Sequence, residues 1–287
     1  MDSKENRSEE KKQKKIDSTL SSSVKKGNSA TQSKELVEIM AEQMKSAHHI
    51  YRLKNKTLFI SSLTAGLEIG FSFLLICTLY FFLNGKIDER NIYLLFSFFY
   101  PVGFLMVIMG RSLLFTEQTS ILALPVLNNK YSFATLLRIW GVVILGNVTG
   151  GILFSFLVVF LGPELNLLSL ATIEAISLHV VHYEAWGLFF SAVLAGWLMG
   201  LLSWLLSSAN DSITRVFFII VITGIIGFLG LHHSIVGNVE VFSGMLVSSS
   251  VTVTDYLGFM ILALAGNAAG GSIFVALFKY KAFESNF

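Results

Sequence analysis

The sequence predicts an all-α membrane protein with six transmembrane helices in two inverted three-helix repeats, with helices 2 and 5 broken. Three observations lead to this prediction. The 287 residues are 53% hydrophobic and only 14% charged, whereas about a quarter of a typical soluble domain is charged. Six apolar runs are long enough to cross a bilayer, which takes roughly 20 residues. Polar residues interrupt two of these runs, at points 120 residues apart.

The chain begins with a polar, basic segment. Residues 1–56 hold 13 of the 21 Lys and Arg residues and 8 of the 19 Asp and Glu residues. Residues 1–34 are mainly Lys, Glu, Ser, Gln and Asn, which cannot bury enough apolar surface to fold, so we predict a disordered cytoplasmic tail. Apolar residues then recur at helical spacing, which predicts an amphipathic cytoplasmic or interfacial helix over 35–56. We expect this helix to rest on anionic lipid headgroups; the alternative is a cytoplasmic plug or gate.

The apolar runs define the membrane domain, over residues 57–281, which is followed by a short C-terminus at 282–287. The predicted spans are 58–83, 92–127, 133–161, 185–207, 214–246 and 256–278. The first run begins only at Leu58, after a mainly polar segment, so no signal peptide is predicted. Lys and Arg near the span ends collect on one side in a six-span arrangement, which predicts a multi-pass protein of the cell (inner or plasma) membrane with both termini cytoplasmic.

Two spans carry an interruption. The second, of 36 residues, would be roughly 54 Å long as one helix, well beyond a bilayer core. We predict breaks at 110–117 and at 230–238. Such backbone is tolerated at membrane depth only where protein or a watery cavity satisfies it. Two copies of three spans each, at about 57–161 and 185–279, must enter the membrane in opposite directions, which implies a conduit around a midplane site.

A second pair of matching segments supports the repeat. The sequence Gly-Asn-x-x-Gly occurs at 146–150 and again at 266–270. Its spacing places small residues on one helix face, so we interpret the glycines as sites of close helix packing. Asn147 and Asn267 remain open between two roles, structural hydrogen bonding and pore lining.

The residues at the breaks resemble those of the formate/nitrite transporter family. The resemblance covers about Leu58 to Tyr280 and is carried by the segments 113–116 (LLFT), 230–235 (GLHHSI), 196–198 (GWL) and both Gly-Asn-x-x-Gly pairs. It implies an aquaporin-like fold, a homopentamer with one pore per protomer, and transport of small monovalent anions of weak acids. The Asn-Pro-Ala loops of the aquaporins themselves are missing.

The resemblance also implies roles for individual residues. His233 matches the central histidine, and Thr116 matches the loop threonine that pairs with it. Leu114 and Phe115 match an apolar constriction, to which we assign Ile226 as well. The vestibule lysine of typical members has no counterpart near 179–182, and the first loop resembles a divergent branch in its Thr-Glu-Gln-Thr continuation.

Four charged residues lie within or beside apolar runs, where an unpaired charge costs on the order of 3 kcal/mol or more. We expect Glu68, Arg111, Glu117 and Glu240 to form buried ion pairs that brace the breaks; the alternative is ion coordination in the pore.

Histidines form a further group of candidates. Imidazole titrates near neutral pH, so His233 could protonate a passing anion, with His232 beside it. His179 and His182 are expected in the outer vestibule, where they would attract anions at low pH. No metal site is predicted, because these histidines lack a carboxylate or cysteine at ligand spacing.

The predicted function is a channel or proton-coupled transporter for small monovalent weak-acid anions such as formate or nitrite. The alternatives are a pore for small neutral solutes (water, glycerol or ammonia) and a non-conducting membrane scaffold or sensor. No nucleophile, metal cluster or phosphate loop indicates an enzyme. The expected partners are membrane lipid, further copies of the chain as a pentamer and a small anion, with no cofactor and no nucleic acid.

Overall fold

Helices make up nearly all of the chain in the computed structural model, which describes residues 11, 14–18 and 34–284. In chain order the helices are α1 (Leu36–Tyr51), α2 (Asn55–Leu83), α3 (Glu89–Phe99), α4 (Pro101–Gly110), α5 (Phe115–Leu127), α6 (Phe133–Glu164), α7 (Leu170–Val181), α8 (Ala185–Ser208), α9 (Ser212–Phe228), α10 (Ser234–Val247) and α11 (Val253–Ala269), which runs through a π-helical segment (Gly270–Leu277) into α12 (Phe278–Glu284).

The helices repeat in two sets. The first is α2, the broken span α3–α4–α5, and α6; the second is α8, the broken span α9–α10, and α11. Within each set the first helix packs along the last, α2 against α6 and α8 against α11. The shared breaks and the shared packing fit the predicted pair of three-helix units.

Length and composition suit a membrane. Five segments of the described chain are long and apolar enough to cross a bilayer. The fifth predicted span is divided between α9, with 17 residues, and α10, with 14. Large apolar side chains cover the outside of the bundle, including Phe98 at 74% exposure and Ile261 at 67%, as expected for a surface that faces lipid or another subunit.

Both breaks are shorter than predicted. Helix resumes at Phe115 in the first and at Ser234 in the second, so Thr116 and Glu117, and likewise Asn238, lie inside helices. Their polarity was wrongly interpreted as irregular backbone. Polar residues are compatible with these half-helices because the protein buries them: every residue from Ser234 to Val241 is buried.

Two elements were not predicted. Helix α7 lies in the stretch between the third and fourth spans, where its 12 residues are too few to register as a span. The π-helical segment adjoins α5: a Cβ atom on Gly271 would lie 2.0 Å from Oγ1 of Thr119. The wider π turn therefore lies where the last span passes close to the first half-helix.

Helix α1 packs against the bundle. Its buried residues include Met40, Met44 and Ala47, and it contacts α5, α8 and α12. Nε2 of Gln43 donates to the carbonyl of Ser203 at 2.7 Å, and the Tyr51 hydroxyl donates to the carbonyl of Leu122 at 2.9 Å. Protein therefore covers the apolar face of this helix. Contact with anionic headgroups through the exposed basic residues Lys45, Arg52, Lys54 and Lys56 stays a prediction.

The predicted disordered tail, residues 1–34, lies outside the described residues except at positions 11, 14–18 and 34. Residues 14–18 are helical. Ile16 is buried in a cluster with α1 and α12, and Asp17 pairs with Lys130 at 2.5 Å. For the remaining positions, disorder stays a prediction.

Candidate functional site

Each break begins with a residue in the left-handed backbone region. Arg111, directly after α4, has φ 60°, and Gly230, two residues after α9, also has φ 60°. A left-handed conformation costs an L-residue roughly 1–2 kcal/mol, and glycine is exempt. Arg111 therefore corresponds to Gly230, at an offset of 119 residues and not the predicted 120. Gly110, which was predicted to correspond to Gly230, is instead the last residue of its helix.

Asn147 stabilises the backbone of the first break through hydrogen bonds. Its Oδ1 atom accepts from the backbone N–H of Phe115 at 2.8 Å. Its Nδ2 atom donates to the carbonyls of Leu113, at 2.8 Å, and Ser62, at 2.7 Å. A backbone group without a partner at this depth would cost several kcal/mol. One side chain from α6 thus satisfies both ends of the break and ties them to α2.

Asn267 does the same at the second break. Its Oδ1 atom accepts from the N–H of Ser234 at 2.8 Å, and its Nδ2 atom donates to the carbonyls of His232, at 3.1 Å, and Ala192, at 2.7 Å. Both asparagines are fully buried. Of the two interpretations left open, these contacts favour structural hydrogen bonding over pore lining.

The paired glycines allow close helix packing, as predicted. A Cβ atom on Gly150 would lie 2.1 Å from the carbonyl oxygen of Leu63 on α2, and one on Gly270 would lie 2.1 Å from that of Val193 on α8. Gly146 and Gly266 make matching approaches to the same two helices. The contacts place each asparagine within reach of its break.

Thr116 and His233 meet between the two breaks. Oγ1 of Thr116, in the first turn of α5, lies 2.7 Å from Nε2 of His233, which caps α10. Nδ1 of His233 accepts from the N–H of Val236 at 3.2 Å. That bond assigns the proton of the neutral imidazole to Nε2, which then donates to Thr116. Both side chains are almost completely buried.

Apolar side chains surround this contact. Leu114, Phe115 and Ile226, the three predicted constriction residues, are each at most 1% exposed. The ring of Phe104 packs edge-on against the imidazole of His233 at 5.0 Å, whereas the ring of Phe115 packs against Trp140 at 5.7 Å. The sequence analysis missed Phe104, which sits in an ordinary apolar run without any polar signal.

A cavity of about 1110 Å³, which we call the inner cavity, opens on the side of Thr116 where α1 lies. Its inner end reaches Leu113 and Glu117, and α1 forms part of its wall. The charged residues along it are Lys34, Glu38, Glu42, Lys45, Arg111, Glu117 and Arg215. Lys34 pairs with Glu42, and Arg215 lies 3.9 Å from the same carboxylate.

A second cavity, of about 520 Å³, lies on the opposite side of Thr116, and we call it the outer cavity. His233 and Ile226 line its inner end. The polar residues farther along are Glu89, Arg90, Tyr93, Tyr100, His179, Tyr183, His232 and Glu240. Leu114, Phe115 and Thr116 line neither cavity. These three residues therefore separate the two spaces, and His233 stands on the outer side of that barrier.

The four charged residues do not form the predicted network. No ion pair joins Glu68, Arg111, Glu117 or Glu240 to one another or to any other described residue. Arg111 and Glu117 line the inner cavity and Glu240 the outer one, whereas Oε2 of Glu68 is buried without a hydrogen-bond partner. The prediction failed because cavities, and not opposite charges, surround three of the four.

The remaining histidines take separate positions. His232 is held by Oγ of Ser191, 2.8 Å from Nδ1, and by the carbonyl of Val180, 3.2 Å from Nε2. His179 stacks on Tyr93 at 4.2 Å in the outer cavity. His182 is exposed and does not line that cavity. Two further residues that line this cavity, Tyr93 and Tyr100, were not predicted from the sequence.

Comparison with known proteins agrees with this architecture. A family model described as formate/nitrite transporter matches residues 36–281. Inner membrane protein YfdC of Escherichia coli (strain K12) is 30% identical over 223 residues, covering 77% of this chain and 70% of that protein. A probable formate transporter of Methanothermobacter thermautotrophicus is 24% identical over 201 residues, covering 64% and 72% of the two chains.

Two solved structures share the fold. An FNT family ion channel has a TM-score of 0.78 at 22% identity, covering 85% of this chain and 98% of its own. A pentameric formate channel with formate bound has a TM-score of 0.68 at 22% identity, covering 80% and 97%. These matches confirm the predicted aquaporin-like arrangement of helices.

Proposed function

Because the chain belongs to the formate/nitrite transporter family, we propose that it moves small monovalent weak-acid anions, such as formate or nitrite, through a pore centred on Thr116 and His233. The observation that carries this proposal is the 2.7 Å contact between these residues, at the meeting point of two half-helices and between two cavities.

The two half-helices favour an anion at this point. α5 begins at Phe115 and α10 at Ser234, and the contact of Thr116 with His233 brings these N-termini together. A helix N-terminus carries a partial positive charge of about half an elementary charge and presents free N–H groups. Half-helix N-termini at the midplane bind anionic groups in other transporters.

The apolar barrier favours passage of a neutral species. Leu114 and Phe115 offer no polar atom to an ion, and a charge in such surroundings costs several kcal/mol. Formate and nitrite become neutral when they accept a proton. In the proposed mechanism, the anion displaces Thr116 from Nε2–H of His233, accepts that hydrogen bond, takes up a proton from a donor in the outer cavity and crosses the barrier as the acid, while His233 keeps its own proton.

Membrane placement and assembly belong to the same proposal. The basic residues near the span ends favour cytoplasmic termini, and we place the protein in the cell membrane. One solved relative is described as a pentameric formate channel, and we propose a homopentamer here. Mass measurement in mild detergent tests this: a pentamer is expected, and a monomer or tetramer contradicts it.

Liposome uptake tests the function. Purified protein should carry formate or nitrite into liposomes faster at pH 6 than at pH 8, with protons entering alongside. Acetate, hydrosulfide, ammonia and glycerol complete the panel. Saturable uptake of formate or nitrite supports the proposal. Flux of glycerol or ammonia without any anion flux contradicts it.

One observation favours a second candidate, a pore for small neutral solutes. Glu240 lines the outer cavity, and no Lys or Arg occurs from 163 to 184. A carboxylate at this place would repel anions. The same uptake panel separates the two functions.

A further inference from the structure

His233 has no nitrogen free to collect a proton from water. Nδ1 accepts from the N–H of Val236, and Nε2 is bonded to Thr116. The side chain is 2% exposed, and Phe104 covers one edge of the ring. A proton that neutralises an anion in the outer cavity must therefore come from another group.

Glu240 is placed to supply it. Its side chain lines the same outer cavity as His233, seven residues farther along the chain and thus two turns into α10. Its backbone carbonyl accepts from Oγ of Ser177 at 2.6 Å, which fixes this turn of α10 against α7. The carboxyl group makes no ion pair with any described residue, and no described hydrogen bond involves it.

The groups around Glu240 provide no compensating charge. On α2 the nearest titratable group is the buried Cys77, and before α4 it is Tyr100, which lines the cavity. On α7, Glu174 accepts from Oγ of Ser248 at 2.5 Å. On α11, Asp255 caps its own helix through Thr252. On α6, the neighbouring contact is Ser155, which donates to the carbonyl of Val239.

Other titratable groups also line the outer cavity. They are His233, His232, His179, Tyr93, Tyr183, Glu89 and Arg90. Glu89 accepts from the hydroxyl of Tyr80 at 2.9 Å. A carboxylate without a cation in a membrane interior is costly, and a carboxylic acid avoids that cost while offering a proton to the cavity.

We propose that Glu240 is the group that transfers a proton to the anion in the outer cavity. The O–H bond of the Glu240 carboxylic acid breaks, and a new O–H bond forms on the anion. Glu240 is left as the carboxylate and regains a proton from water in the outer cavity. The neutral acid then passes His233 and the barrier and ionises in the inner cavity. This inference rests on the proposed function and identifies its proton donor.

The variant Glu240→Gln tests it in liposomes. Wild-type protein should carry about one proton per formate, read from a pH dye inside. In E240Q, uptake at pH 7 should fall by about tenfold or more, since general acids contribute at least that much elsewhere, and its pH dependence should disappear. Glu240→Asp, which keeps a carboxyl group, should restore part of both.

A matched control is Glu174→Gln, which removes a carboxylate from the adjacent helix outside the cavity. It should keep the wild-type pH profile and stoichiometry. Elution of every variant as the wild-type oligomer shows that it folds. Unchanged pH dependence in E240Q, or faster anion uptake as expected of a merely repelling carboxylate, would overturn the inference. Absence of anion uptake in the wild type overturns the proposed function instead, and the inference with it.

Discussion

The hydroxyl oxygen of Thr116 and Nε2 of His233 are 2.7 Å apart although 117 positions separate them in the sequence. Each residue lies at the start of a half-helix from a different repeat. The contact therefore joins the two repeats at the barrier between the cavities.

The first prediction concerns His233. Replacement by Phe removes the hydrogen bond to Thr116 and should lower uptake of formate by more than about tenfold, equivalent to about 1.4 kcal/mol. His233→Asn keeps a polar group and should retain more flux. His232→Phe, whose side chain bonds to Ser191 and Val180, should have the smaller effect. Equal pH-dependent uptake in wild type and His233→Phe would remove the mechanism.

The second prediction concerns Asn147. Asn147→Ala leaves the N–H of Phe115 and the carbonyls of Leu113 and Ser62 without this partner. Each unsatisfied buried group costs about 1–3 kcal/mol, so the thermal midpoint in detergent should fall steeply. The control is Thr149→Ala on the same helix, a half-buried residue whose hydroxyl bonds only within its own turn. Similar midpoints for the two variants would show that the break does not depend on Asn147.

The third prediction compares two glycines of α6. Gly150→Ala places a methyl group against the Leu63 carbonyl and should destabilise the protein by about 1–3 kcal/mol, the usual cost of overpacking. Gly141 has open space around its Cβ position. Gly141→Ala should therefore leave stability unchanged or raise it by up to about 1 kcal/mol, the helix propensity difference. Chemical unfolding in detergent measures both, and equal losses would contradict the packing argument.

The fourth prediction is a pH dependence outside the membrane. His48 on α1 lies 3.3 Å from the hydroxyl of Tyr131, and its pKa is lowered by burial first and then by the positive charges of Arg52 and Lys130. The folded state therefore prefers the neutral imidazole, so α1 should detach more readily as the pH falls below the ordinary value of 6.5. The protection factors of the α1 amides, which are exchange rates corrected for the intrinsic pH dependence of amide exchange, should fall from pH 7.5 to pH 5.5.

His48→Asn should reduce that pH dependence. His49→Asn, at the adjacent position, serves as the control and should keep it. If the protection factors of the α1 amides were independent of pH in the wild type, the contact of His48 with Tyr131 would not hold the helix.

Much of the fold could be predicted because hydrophobic length and repeated motifs are local properties of a sequence. Such patterns predict the six spans, the two breaks and the correspondence of Asn147 in one repeat with Asn267 in the other. Helix α7 was not predicted because its segment of 12 residues, which includes Thr172, Glu174, Ser177 and His179, is too short and too polar to register as a span. The half-helices α5 and α10 were predicted to be shorter than they are because the polar residues near their N-termini were interpreted as irregular backbone.

The candidate site was harder to predict. His233 and Thr116 came from a family resemblance, whereas their contact depends on how two distant half-helices meet. The charged residues were expected to pair because a membrane interior penalises isolated charge. Arg111, Glu117 and Glu240 instead border cavities, and cavities arise from packing between helices that no single stretch of sequence encodes.

The way the asparagines hold the breaks has a consequence for motion. Each break is bonded through its asparagine to two neighbouring helices, so neither can swing as a hinge without losing several buried hydrogen bonds at once. Opening of the barrier is then left to rotations of side chains such as Leu114 about their own bonds. Such rotations occur on shorter timescales than the microsecond-to-millisecond motions of hinged domains. The protein is thus expected to conduct through a rigid frame whose only fast-moving parts are the side chains that line it.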